Sequence, residues 1–146
     1  MNTTRTIAIT GATGFVGRHV VERLLQEPDI RLRCLVRASS DCTRLESMGD
    51  RVELVQGDVC KPETLPPLMH GAWGVIHLAG YRDFWSRERS LYYQLNAQGA
   101  KNVFEAALEA GVQKVVQVST PLAFGFPDRI PFDEATPAGP HPSDYA

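Results

Sequence analysis

One stretch decides the fold of this chain: Gly11-Ala12-Thr13-Gly14-Phe15-Val16-Gly17. It follows a short apolar run at residues 6–10 and opens a segment in which apolar residues return at helical spacing as far as Leu25. The pattern predicts a strand that turns through three glycines into a helix. In such a turn the first glycine allows the sharp bend, the second lets phosphates approach the backbone, and the third lets the helix pack on the strand. Because a helix N-terminus also offers unpaired N–H groups to an anion, the stretch predicts a dinucleotide-binding turn.

The spacing of the glycines restricts which kind of phosphate-binding site this turn can form. They follow the pattern G-x-x-G-x-x-G rather than the tighter G-x-G-x-x-G, and a turn that binds nothing remains an alternative. A triphosphate-binding loop is excluded, because it requires Gly-Lys followed by Ser or Thr, whereas Arg18 and His19 follow Gly17 here.

Composition and charge favour a single globular domain. The chain has 146 residues, of which 43% are hydrophobic and 22% are charged. We assign residues 1–120 to a dinucleotide-binding domain and residues 121–146 to a proline-rich loop. A net charge of -2 gives no reason to expect nucleic acid or an anionic membrane as a partner, and no stretch resembles a membrane span or a secretory signal. The 3 cysteines lack metal-ligand spacing, so we expect no metal site and a cytoplasmic protein.

Short apolar runs alternate with helical patterns along the chain. This alternation predicts a parallel sheet with helices on both faces, the doubly wound, Rossmann-type α/β fold. We expect about five strands, with the later strands of such a sheet missing from the sequence. After the first strand, the predicted strands lie near 32–36, 52–55, 75–79 and 115–118, and the predicted helices follow Gly17 and cover 43–48, 62–69 and, as one long helix, 87–110.

Polar or small residues follow each predicted strand, at the edge of the sheet where ligands of this fold bind. Arg37 follows the second strand, where an acidic residue would bind the ribose 2′-OH of NAD and an arginine suits the 2′-phosphate of NADP. Arg44, one or two helical turns further on, is a candidate second charge; a surface cation is the alternative for both arginines. Asp58 is a candidate acceptor for the adenine amino group, although a capped turn explains it almost as well. We therefore expect NADP as the cofactor, with NAD less favoured.

These residues resemble the extended short-chain dehydrogenase/reductase superfamily, which includes sugar-nucleotide epimerases, dehydratases and dihydroflavonol-reductase-like enzymes. The resemblance covers essentially the whole chain and is carried by residues 10–17, 57–59, 77–80, 96–103 and 118–120. It implies a reversible hydride transfer between C4 of a nicotinamide and a carbonyl or alcohol carbon. The expected cofactor-binding residues are Gly11, Thr13, Gly14, Phe15, Val16, Gly17, Arg37, Arg44, Asp58, Val59, Leu78, Ala79, Gly80, Arg82 and Asn96.

The resemblance also implies which groups handle the proton. Thr120 corresponds to the hydroxyl that hydrogen-bonds the reacting oxygen, with Ser119 as the neighbour that could be confused with it. Tyr145, 25 residues after Thr120, corresponds to the general acid/base tyrosine at the start of a helix. Arg82 resembles a basic residue that some members of the superfamily place near the cofactor.

The sequence stops at Ala146, before the position of the lysine that follows this tyrosine in the superfamily and before the substrate region. Since a tyrosine has an ordinary pKa of roughly 10, we expect Tyr145 to stay protonated without that lysine. The chain by itself is then expected not to turn over its substrate, an unidentified small molecule. We also expect the fifth strand to have an open edge, which offers a route to a homodimer. The alternative function is a non-catalytic NAD(P)-binding sensor or interaction module.

Overall fold

Five parallel strands form the centre of this computed structural model, which describes residues 4–83, 86–128, 130–141 and 145. The strands are β1 (Arg5–Thr10), β2 (Ile30–Val36), β3 (Val52–Gln56), β4 (Gly74–His77) and β5 (Lys114–Gln117). Their order across the sheet is β3-β2-β1-β4-β5, and every neighbouring pair is parallel. The carboxyl end of β1, at Thr10, is therefore flanked by Leu35 of β2 and His77 of β4.

Helices cover both faces of the sheet. They are α1 (Phe15–Leu24), α2 (Thr43–Glu46), α3 (Pro66–Met69), α4 (Ser90–Tyr92) and α5 (Gly99–Glu109). Helices α1 and α2 pack on the face where Ile9 and Cys34 are buried, and α3 and α5 pack on the face of Ala8 and Val75. Each fully buried aliphatic side chain contributes about 1.5–3 kcal/mol, so these two apolar layers hold the helices in place. The predicted doubly wound Rossmann-type fold is confirmed.

The predicted helix over 87–110 is wrong as one regular helix. The helical segment begins at Ser90, and Tyr93–Gln98 form π-helical turns between α4 and α5. Such wide turns are rare and are frequently found at functional sites. Here they carry Asn96, whose side chain bonds to a distant loop, which is a tertiary contact that apolar spacing does not reveal.

Two shorter predicted helices also differ in their bounds. The segment over 62–69 is divided into a 3-10 turn (Pro62–Thr64) and α3, because Pro66 has no N–H to continue the hydrogen-bond ladder. Helix α2 ends at Glu46, and the following Ser47 hydroxyl donates to the Arg44 carbonyl at 2.7 Å.

The proline-rich segment after β5 has defined local structure. It begins with a 3-10 turn at Pro121–Phe124. Further on, the Gly139 N–H donates to the Phe124 carbonyl at 2.8 Å and the Phe126 N–H donates to the Pro140 carbonyl at 2.9 Å. These two bonds pair the beginning of the segment with its later part.

Strand β5 is an edge of the sheet. Val115 and Val116 on this strand are 40% and 53% exposed.

Within the part of the chain that the structure describes, no helix is both long and apolar enough to span a bilayer.

Candidate active site

The glycine turn packs directly against the loop that follows β4. Gly11 has a φ of 73°, in the left-handed region that glycine adopts readily. A Cβ built on Gly11 would lie 2.7 Å from the Ala79 amide nitrogen, and a Cβ on Gly17 would overlap the Gly11 carbonyl oxygen. Both positions therefore require glycine because there is no space for a side chain.

The start of α1 is open to an anion. Gly14 precedes the helix without a side-chain cap, and the first turn contains no acidic residue. The first N–H groups of α1 have no intrahelical partner and carry the positive end of the helix dipole. Since 10 residues of regular helix follow them, the turn fits the diphosphate of a dinucleotide.

A cavity of about 270 Å³ lies beside this turn. Its lining includes Gly11, Gly14, Arg37, Asp58 and Val59, which the sequence predicted to meet at one edge of the sheet. Oδ1 of Asp58 accepts the backbone N–H two residues further on at 2.9 Å. Asp58 therefore caps its own turn, which is the alternative role given for it above, and it also lines the cavity.

The two predicted 2′-phosphate arginines lie in different surroundings. Arg37 lines the small cavity and forms a tight turn in which the Ser40 N–H donates to its carbonyl at 2.9 Å. Arg44 lines neither this cavity nor the larger one described next. Its Nε donates to Glu22 on α1 at 3.1 Å, and its Nη2 contacts the same carboxylate. This hydrogen bonding lowers the pKa of Glu22 below its usual value.

A larger cavity, of about 740 Å³, adjoins the end of β5. Thr120 and Tyr145 both line it, together with Val16, Ser119 and Arg82. Residues 78–80 line both cavities, which therefore adjoin along this loop and are together called the cleft. The structure thus places the two expected hydroxyl groups on the larger cavity, beside the cavity of the glycine turn.

Asn96 and Tyr92 hold the loop after β4 from one side. The Tyr81 N–H donates to Oδ1 of Asn96 at 2.7 Å, and Nδ2 of Asn96 donates to the Tyr81 carbonyl at 2.8 Å. The Tyr92 hydroxyl donates to the Asp83 carbonyl at 2.6 Å, and its ring packs edge-on against Tyr81. The Asn96 amide thus supports the wall of the cleft through bonds to the backbone.

Two buried polar side chains join the glycine turn to β4. Oγ1 of Thr10 lies 2.5 Å from Nδ1 of His77 and accepts the Ala79 N–H at 3.2 Å. Burial lowers the pKa of His77 to about 4, so the ring is neutral at neutral pH. The Thr10 hydroxyl has one proton and two lone pairs, so it bonds to Nδ1 with the ring in either neutral tautomer. Nε2 has no hydrogen-bond partner among the described residues.

His77 is therefore a packed, hydrogen-bonded histidine. Its partner Thr10 lies 67 positions away in the sequence, so this pairing was not predicted. The available signal was a polar residue at the carboxyl end of each of the two strands.

Some predicted residues are not brought into the cleft. Phe15 is 67% exposed, and its ring contacts Arg18 and His19 on the outer side of α1. Gly17 is buried beneath the turn. The helix start expected at 143–144 lies outside the described residues.

Comparison with known proteins decides the family. A model described as the NAD dependent epimerase/dehydratase family matches residues 7–146. The chain belongs to this family. A 2-alkyl-3-oxoalkanoate reductase from Shewanella oneidensis is 34% identical over 130 residues, which are 88% of this chain and 32% of that protein. The bovine (Bos taurus) sterol-4-alpha-carboxylate 3-dehydrogenase, decarboxylating, is 34% identical over 112 residues, 77% of this chain and 29% of that protein.

A solved structure agrees with this membership of the epimerase/dehydratase family. A short-chain dehydrogenase/reductase superfamily protein from Agrobacterium tumefaciens, solved with bound NAD, is 26% identical with a TM-score of 0.78. The match covers 97% of this chain and 40% of that one. The resemblance to extended short-chain dehydrogenases/reductases is therefore confirmed. The chain spans about a third of the length of the curated relatives described above.

Proposed function

We propose that this chain is the NADP(H)-binding portion of an oxidoreductase or epimerase that transfers a hydride to or from a carbonyl or alcohol carbon. One observation carries the proposal: the cavity beside the glycine turn and the cavity lined by Thr120 and Tyr145 meet over residues 78–80. A dinucleotide has its adenine and its reactive ring at opposite ends, so a cleft of this form suits it.

The adenosine side of the dinucleotide is assigned to the smaller cavity. The N–H groups at the start of α1, behind Gly14, would bind the diphosphate. Asp58 would accept a hydrogen bond from the adenine amino group, Arg37 would bind the 2′-phosphate, and Val59 would be an apolar contact for the adenine ring. Arg44 could add a second charge only after leaving Glu22.

The reacting side is assigned to the larger cavity. When bound, the nicotinamide supplies or accepts the hydride at its C4. The Thr120 oxygen accepts the Leu122 N–H at 3.3 Å, so its proton remains available to hydrogen-bond the reacting oxygen. The Tyr145 hydroxyl, which lines the same cavity, holds the proton that is exchanged with that oxygen.

The cofactor preference is tested by Arg37→Asp. Wild-type chain should bind NADPH more tightly than NADH, because a guanidinium matches the 2′-phosphate, and Arg37→Asp should reverse that order by placing a carboxylate beside it. Titrations followed by nicotinamide fluorescence measure both affinities. Arg31→Asp, at an exposed position near the other end of β2, is the matched control and should leave the ratio unchanged. An unchanged ratio in Arg37→Asp would remove the assignment.

Two relatives indicate a substrate class. One is named for 2-alkyl-3-oxoalkanoates and the other for a sterol 4-carboxylate that reacts at position 3. In both names a carboxylate is attached to the carbon next to the reacting carbon. We extend this chemistry to the present chain and propose a 3-oxo acid or 3-hydroxy acid as its substrate.

We also propose a homodimer, from the edge strand, and a reducing compartment, from the thiols. The exposed β5 edge supports a homodimer in which this edge pairs with a second copy. Cys34, Cys42 and Cys60 are free thiols, which supports a reducing compartment such as the cytoplasm.

A further inference from the structure

Arg82 is part of a loop whose backbone is fixed on both sides of it. The preceding residue, Tyr81, is held at its N–H and its carbonyl by the Asn96 amide. The following residue, Asp83, is held at its carbonyl by the Tyr92 hydroxyl. The Arg82 side chain therefore starts from a defined position on the cavity wall. Fixing the backbone beforehand favours ligand recognition, because less freedom is lost when the ligand binds.

Arg82 contributes a positive charge to the larger cavity. Among the described residues, the lining of this cavity includes neither an aspartate nor a glutamate. The smaller cavity, in contrast, combines Arg37 with Asp58. An anion that enters the larger cavity therefore meets no opposing carboxylate on the described part of its wall.

The position of Arg82 separates it from the diphosphate site. Gly11 and Gly14 of the glycine turn line only the smaller cavity, whereas Arg82 lines only the larger one. It shares that cavity with Thr120 and Tyr145. A guanidinium binds a carboxylate through two parallel N–H···O bonds, and these bonds fix the orientation of the ligand as well as its position.

We propose that Arg82 binds the carboxylate of the substrate and so selects a 3-oxo or 3-hydroxy acid over the corresponding neutral ketone or alcohol. The assignment rests on the function proposed above and deepens it. The carboxylate contacts Arg82. The reacting oxygen, on the carbon next to the one that carries the carboxylate, is directed toward Thr120 and Tyr145. The distance between the anion and the reacting carbon is then set by the substrate itself.

The test uses the 146-residue chain saturated with NADPH, and its probes are racemic 3-hydroxybutanoate and the methyl ester of that acid. Reduced cofactor cannot oxidise an alcohol, so the complex does not react, and ligand-observed NMR reports binding of each probe. Arg82→Gln removes the charge. Arg87→Gln is the matched control, because Arg87 is exposed on the same segment and does not line the cavity. Inorganic phosphate is the third probe and distinguishes a phosphate from a carboxylate.

Wild-type chain should bind the acid more tightly than the ester. Arg82→Gln should lower the affinity for the acid about tenfold, as expected for loss of a charge-assisted pair. Binding of the ester and of NADPH should be unchanged, and Arg87→Gln should behave as wild type. Equal binding of acid and ester by wild type overturns the proposal, as does tighter binding of phosphate than of the acid. Loss of NADPH affinity in Arg82→Gln overturns it differently, by assigning the guanidinium to a cofactor phosphate. Failure of the wild type to bind NADPH would instead refute the proposed function itself.

Discussion

Acidification should destabilise this fold through His77 by an amount that its burial sets. The ring is fully buried, and burial lowers its pKa from 6.5 to about 4. An unfolded chain therefore takes up a proton on this ring as the pH falls through about 6.5, whereas the folded chain does not until about pH 4. The contribution to stability is complete above pH 6.5, decreases toward pH 4 and is constant below it. Over that window the loss amounts to about 3 kcal/mol, with a slope of at most about 1.4 kcal/mol per pH unit.

The loss can be isolated by comparing slopes between variants. Urea unfolding followed by tryptophan fluorescence at about pH 7 and about pH 4.5 gives the free energy of unfolding at each pH. His77→Asn keeps a polar atom near the position of Nδ1, so Thr10 retains a partner, but the side chain does not titrate. Wild-type chain should lose about 2.5 kcal/mol more than His77→Asn between these two conditions. Carboxylates that also titrate contribute equally to both proteins and cancel.

His70→Asn, the same change at an exposed ring, is the matched control and should retain the wild-type slope. Equal losses in wild type and His77→Asn would refute the reasoning, since they would mean that the buried ring is not held neutral. A lower stability of His77→Asn at neutral pH does not affect this comparison, because only the change with pH is used.

Two further changes test the turn and the edge strand. Gly17→Ala places a methyl group on the Gly11 carbonyl oxygen and should weaken NADPH binding at least tenfold by displacing the turn. Gly49→Ala, at a positive φ with open space around it, should cost about 1–2 kcal/mol of stability and leave the affinity unchanged; equal affinities in both variants would exclude a role for the turn. Val116→Lys on the β5 edge should shift sedimentation of a dimer toward monomer. Leu108→Lys, 81% exposed on α5, should leave it unchanged, and the opposite pattern would assign the dimer contact to the helix.

The strands and the glycine turn could be predicted from the sequence because their causes are local. Apolar runs bounded by turn residues indicated five strands near their observed positions. Glycine was expected at the turn, and the structure has no room for a Cβ at Gly11 or Gly17. Parallel order then followed from the alternation of strands and helices, since a crossover helix joins parallel neighbours. The meeting of Arg37, Asp58 and residues 78–80 at one edge is a consequence of that order.

The features of the structure that could not be predicted from the sequence depend on contacts between distant residues. Apolar spacing predicts a regular helix where the structure has π-helical turns, because it does not register the two bonds from Asn96 to Tyr81. Arg44 stays a candidate for the 2′-phosphate, and its contact with Glu22 could not be predicted because it depends on where α1 lies. The Thr10–His77 bond was missed for the same reason.

The central position of β1 has a consequence for the order in which a growing chain matures. The glycine turn leaves the ribosome early, and β1, α1 and β2 can pair as soon as the first 36 residues are available. The groups that complete the turn, Ala79 and His77, arrive only with β4, and closing so long a loop is slower than local pairing. Cofactor affinity should therefore arise in a single step of translation, when β4 docks beside β1. Ribosome-bound chains halted before that point would contain the whole glycine motif and still lack the wall against which a dinucleotide binds.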